Sequence, residues 1–134
     1  MPPVDSWPVK RLAAMLGAVC LLAASCGGGG QHLATLSKTR ACLTAADVRI
    51  GGSVDFVATT STGGAFKAHF PDNSVTVVFG ETVADADNIN DAYRRFHAKN
   101  VGINDVLKQQ ANVVMLWNTH PFGADIAKLT GCLK

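Results

Sequence analysis

The sequence predicts an α+β domain: a small two-layer sandwich with a mostly antiparallel sheet, helices on one face and one disulfide. Three observations carry that expectation. Residues 65–70 alternate apolar and polar, four turn-forming residues follow, and residues 75–79 are a second β-branched run. Residues 112–117 form an almost unbroken apolar run. Between them, Ile89, Ala92, Tyr93 and Phe96 recur at helical spacing.

Length and composition set the frame. The chain has 134 residues, enough for one domain, with four cysteines and a net charge of +2. That balance lacks the basic stripe of a nucleic-acid binder, and no nucleic-acid partner is expected.

The N-terminal residues have their own grammar. Lys10 and Arg11 precede a run from 12 to 22 built of Leu, Ala, Met, Gly, Val and Cys. It is signal-peptide length, well short of the roughly 20 residues that span a bilayer. Ala23, Ala24, Ser25 and Cys26 follow, then four glycines. The stretch Leu22-Ala23-Ala24-Ser25-Cys26 resembles the lipobox of bacterial lipoproteins, a resemblance covering about the first 30 residues and none of the domain. It implies cleavage before Cys26 and a diacylglyceryl thioether on its sulfur. Ala23 stands where that pattern usually has Leu. The same residues also read as an ordinary small-x-small cleavage site, which leaves Cys26 unmodified. The expected organisation is a signal peptide over 1–25, a flexible Gly-rich tether over 26–37 and one domain over 38–134. Losing Lys10, Arg11 and Asp5 with the leader takes the net charge from +2 to +1. The expected location is the outward side of the cell membrane, with the bilayer as partner through acylated Cys26.

Lipidation settles the cysteine arithmetic. Cys20 leaves with the leader and Cys26 carries lipid, so Cys42 and Cys132 remain as a pair in an oxidising compartment. A structural disulfide is expected, since a redox pair would show Cys-x-x-Cys spacing.

Through the domain, residues 38–46 read as a short helix capped by Thr39, and 47–50 as an edge strand ended by Gly51-Gly52. Val54, Phe56 and Ala58 alternate, which favours a strand over 53–60 despite Val57. Phe66, Ala68 and Phe70 face one side, and Pro71-Asp72-Asn73-Ser74 supplies the turn of an antiparallel hairpin ending at 79. Residues 81–100 read as the longest helix, with a capping box between Thr82 and Asp85 and an Asp91–Arg95 pair one turn apart. Residues 103–110 suggest a helical turn opened by Asn104. The run 112–117 has no alternation and is expected inside the sheet. Pro121 suits a first helical position, and Ile126, Leu129 and Leu133 continue a last helix over 122–133.

Candidate chemistry is sparse. His32, His69, His97 and His120 lack metal-ligand spacing, so neither metal nor cofactor is expected. Asp85, Asp87 and Asp91 lack the Gly turn and distal Glu of a calcium loop. A nucleophile elbow of the G-x-S-x-G type is absent from the sequence. Trp117, Asn118 and His120 bring an aromatic, an amide and an imidazole to one strand end, the expected edge of any ligand site. The expected role is a non-catalytic binding or structural module of the cell envelope, its partner an envelope protein or a small ligand. Two alternatives stand beside it: a soluble secreted binding or inhibitory module, and a small envelope hydrolase with a pocket near His97 or His120.

Mass spectrometry of the exported protein checks the leader. The expected N-terminal peptide begins at Cys26 and carries a diacylglyceryl mass. A peptide beginning at unmodified Cys26 would favour ordinary secretion.

Overall fold

The computed structural model describes residues 32–97 and 102–134. The expected leader, Cys26, the tether up to residue 31 and the expected helix end over 98–100 lie outside the described residues. In chain order the elements are α1 (Leu36–Ala45), β1 (Arg49–Ile50), α2 (Phe56–Thr59), β2 (Ala65–His69), β3 (Ser74–Phe79), α3 (Val83–Phe96), α4 (Ile103–Val106), β4 (Leu107–Gln110), β5 (Val113–Trp117) and α5 (Gly123–Gly131). The class is α+β. The five strands form one antiparallel sheet in the order β1-β2-β3-β5-β4.

The hairpin forms where the turn residues place it. Ala65 pairs with Val78 and His69 with Ser74, and the Phe70 amide donates to the Asn73 carbonyl at 2.8 Å across the turn. Residues 113–117 become an interior strand between β3 and β4. The α3 start carries the expected capping box: Asp85 N donates to Thr82 Oγ1 at 3.1 Å, and Thr82 N donates to Asp85 Oδ2 at 2.9 Å.

The helices do not share one face, which corrects the two-layer expectation. Val75, Val77 and Phe79 of β3, with Val113, Met115 and Trp117 of β5, pack against Leu43 of α1 and Leu129 of α5. The intervening residues Val78 and Val114 face the other way, onto Ala58 of α2 and Ala86, Ile89 and Tyr93 of α3. A central strand that is apolar on both faces needs a cover on each, so the helices divide into two layers about the sheet.

Other local readings also change. Residues 53–60 hold α2 rather than a strand, because the Asp55 carboxylate accepts the Ala58 amide at 3.0 Å and starts a helical turn. α1 begins at Leu36 after Thr35, not at a Thr39 cap; Thr39 lies fully buried one turn in, beside Leu43 on the core face. Residues 107–110 form β4, which reaches β5 through a two-residue turn with Ala111 at φ 49. Alanine there hides the turn, since that conformation usually draws Gly or Asn. α5 begins at Gly123 after Phe122, with Pro121 buried ahead of it.

The domain reaches further toward the N-terminus than the tether boundary at 37 suggests. Ala34 is buried, and buried Asn112 holds it twice: Oδ1 accepts from Ala34 N at 2.9 Å, and Nδ2 donates to Ala34 O at 2.8 Å. The same Nδ2 donates to Gly80 O at 2.8 Å. Thr35 N donates to Lys134 O at 2.8 Å, joining the two ends of the domain.

Cys42 and Cys132 form the expected disulfide, linking α1 to the residue that ends α5 across a separation of 90 residues. Closing a loop of that length restricts the unfolded chain. The Cys42→Ser/Cys132→Ser variant is expected to lose roughly 4–5 kcal/mol, read from urea unfolding midpoints. An unchanged midpoint would remove the bridge from the stability of the domain.

Candidate functional site

Only part of the second sheet face lies under α3. Beyond it a cleft of about 560 Å³ opens, well inside the roughly 300–1,000 Å³ of small-molecule sites. Its floor is a row across three strands: Lys67 of β2 pairs with Thr76 of β3, which pairs with Leu116 of β5. Ser74 and Asn118 continue the floor toward the strand ends, where Asn118 N donates to Ser74 O at 2.8 Å. One wall is the start of α2, with Asp55, Phe56 and Val57; the second is the end of α3, with Tyr93, Phe96 and His97. Ile103 and Val106 of α4 make the third.

Each wall follows from local sequence. α3 amphipathicity buries Ile89 and Tyr93, yet the last member of the stripe, Phe96, is 74% exposed at the cleft rim. Phe56, 78% exposed, stands across from it on α2 in the first wall. Two large aromatic rings in solvent at one opening are costly to leave bare and are available to a ligand.

The two helical walls are bolted together by one side-chain pair. The Tyr93 hydroxyl donates to both Asp55 oxygens, at 3.0 Å and 2.8 Å, while the same carboxylate caps α2. Burial raises the Tyr93 pKa well above its ordinary value of 10.0, and the hydrogen bond and negative charge of Asp55 push it the same way. The phenol is therefore held protonated, the wrong direction for a base or nucleophile. On the outer side of α3, Gln109 Nε2 donates to Asp87 at 2.8 Å and Asn90 Nδ2 donates to Gln109 Oε1 at 3.0 Å, fixing the helix to β4. Arg94 donates to Asn90 and Asn104, whereas the expected Asp91–Arg95 ion pair does not form.

Of the residues singled out at the strand end, Trp117 and Asn118 border the cleft. The Trp117 ring turns to the opposite face and packs on Phe70 with centroids 5.5 Å apart. His120 is not in the lining: its ring is 73% exposed and its Nδ1 sits 2.6 Å from Asp105 Oδ1. His97, the other histidine weighed for catalysis, does line the cleft. Lys67, Tyr93 and Asp55 escaped sequence reading as a site because they stand on three separate elements. Lys67 falls at a polar position of the alternating run 65–70, and only the incomplete helical cover above it makes it a floor residue. Among the described residues no group of three or more His, Cys, Asp or Glu side chains is placed to hold a metal ion, and no helix is long and apolar enough to cross a membrane.

Compared with known protein families, curated proteins and solved structures, the chain finds no match.

Tyr93 is the chain's one tyrosine, so phenolate absorbance reports it alone. The folded protein keeps the proton above pH 10.0, where the unfolded chain releases it. The pair's contribution is therefore complete below the unfolded pKa and is lost as pH rises beyond it. In an alkaline titration, phenolate is expected to appear only together with unfolding. Tyr93→Phe is expected to lose about 1–2 kcal/mol at neutral pH and to flatten stability above pH 10.0. Phenolate appearing near that value in folded protein would contradict the buried bond.

Proposed function

We propose that the chain is an exported, non-catalytic binding module, held at the outer side of the cell membrane by acylated Cys26, whose domain takes a small ligand into the cleft beside α3. The single observation that carries the binding role is the cleft itself: an apolar opening of about 560 Å³ with two exposed phenylalanines on its walls. The Asp55–Tyr93 pair supports binding over hydrolysis, because its carboxylate and phenol are spent on each other and on the α2 cap. His120 supports the same reading, since it pairs with Asp105 away from the cleft lining and no hydroxyl bonds to its ring among the described residues.

The anchor rests on the lipobox-like stretch ending in Cys26 and the four glycines after it. The position of the cleft is compatible with it. The chain enters the domain at Ala34, against Asn112 and Gly80 at one end of β3 and β5. The cleft floor lies toward the other end, at Thr76, Leu116 and Asn118. The entry of the chain at Ala34 and the cleft floor thus lie toward opposite ends of β3 and β5.

The test uses the mature exported protein and a neutral apolar fluorescent dye. Saturable binding is expected, and Phe56→Ser/Phe96→Ser is expected to weaken it roughly tenfold by removing two apolar contacts. Both rings are exposed, so the melting temperature should hold. Unchanged dye affinity in a folded double variant would remove the cleft as the binding site.

A further inference from the structure

The cleft floor has a direction. Lys67, Thr76 and Leu116 are successive cross-strand partners, so they form one row spanning β2, β3 and β5. Neighbouring strands lie about 4.8 Å apart, so roughly 10 Å separates the first from the last. Along that row polarity falls, from an ammonium to a hydroxyl to an isobutyl group. Ile103 and Val106 extend the apolar end beyond Leu116.

The cationic end is not neutralised. Lys67 is half-buried, yet its ammonium has neither an ion pair nor a hydrogen bond among the described residues. Its neighbours on the same face add to the charge rather than cancel it. Arg49 of β1 stands directly opposite His69, two residues from Lys67 on the same side of β2. His69 Nε2 bonds the Gly51 carbonyl at 2.8 Å. Among the acidic groups, Asp55 also lines the cleft, but it forms no ion pair with Lys67 and its oxygens accept from Tyr93 and Ala58 N. His97 borders the cleft from the end of α3. A half-buried ammonium without a counterion is poorly solvated and strengthens any anion brought to it.

We infer that the ligand is a small anionic amphiphile, with its acidic head at Lys67 and its apolar body along Leu116 toward Ile103 and Val106. This inference rests on the cleft being the binding site and adds the chemistry of its occupant. The exposed rings of Phe56 and Phe96 extend the apolar contact at the opening.

The experiment compares a dansylated long-chain fatty acid with its methyl ester on the mature exported protein. The acid is expected to bind about tenfold tighter than the ester, the value of one partly desolvated charge contact. Lys67→Met keeps an apolar stem and removes the charge. It is expected to bring the acid down to the affinity of the ester measured on the same variant, with a retained melting temperature reporting that the variant is folded. Equal affinities for acid and ester, or an acid affinity insensitive to Lys67→Met, would overturn the anionic head and leave the cleft standing. Binding of both probes that persists unchanged in Phe56→Ser/Phe96→Ser would overturn the cleft and this inference together.

Discussion

Strands β3 and β5, paired inside the sheet, carry apolar residues on both faces, and most of the architecture follows from that. β3 presents Val75, Val77 and Phe79 to one side and Val78 to the other; β5 presents Val113, Met115 and Trp117 against Val114 and Leu116. Leaving either face in water would forgo roughly 1.5–3 kcal/mol for each large side chain. Both faces must be covered, and the helices available are short. α3, with 14 residues, is the longest, and at 1.5 Å per residue it reaches about 21 Å. It covers the Val78 and Val114 region and stops short of Thr76 and Leu116. The cleft is the part of a two-sided strand pair that a single helix leaves uncovered.

The two covers are secured by different means. α3 has a capping box, an apolar stripe and side-chain bonds to β4 and α2, so it can hold its place through packing and hydrogen bonds. α1 has ten residues, of which Thr39 and Leu43 alone are buried. Few apolar contacts hold it, and the Thr39 hydroxyl is buried without a hydrogen-bond partner among the described residues. The Cys42–Cys132 bridge and the Thr35–Lys134 backbone bond compensate by tying that layer to the C-terminal segment. The covalent link falls on the layer with the poorer packing.

What the sequence made legible was what local chemistry determines. The Pro-Asp-Asn-Ser turn, the Thr82–Asp85 box and the apolar run at 112–117 each act within a few residues; the turn and the box form, and the run becomes a strand over Val113–Trp117. Misreadings came from local signals that pointed the wrong way. Val54, Phe56 and Ala58 alternate like a strand, but one carboxylate at Asp55 nucleates a turn that buries Ala58 alone and leaves Phe56 in solvent. Ala111 carries a turn without the residue type that announces one. The division of helices between faces was not local at all. The apolar run at 113–117 told that the strand was inside, and a strand inside implies two covers; the second step is tertiary. The site was legible at Trp117, Asn118 and His97, since Lys67, Asp55 and Tyr93 come around the cleft through pairings that no spacing encodes. His120 was drawn away by Asp105, a neighbour 15 residues earlier in the chain.

The placement of Asn112 bears on how a tethered domain would carry load. Its amide grips Ala34 and Gly80 at once, and it begins the hairpin return into β5. A pull on the chain entering at Ala34 therefore passes first into the sheet, through three side-chain hydrogen bonds, and into α1, which the disulfide holds to the C-terminal segment. The walls of the cleft belong to the other layer. α2, α3 and α4 take no bond from Ala34 or Thr35, and the Asp55–Tyr93 pair joins two of them independently of the entry point. Five residues of β5 separate the two ends, roughly 16 Å at the rise of a strand. The walls of the cleft on α2, α3 and α4 are thus bonded to one another rather than to the entry point, while its floor belongs to the sheet that Asn112 grips.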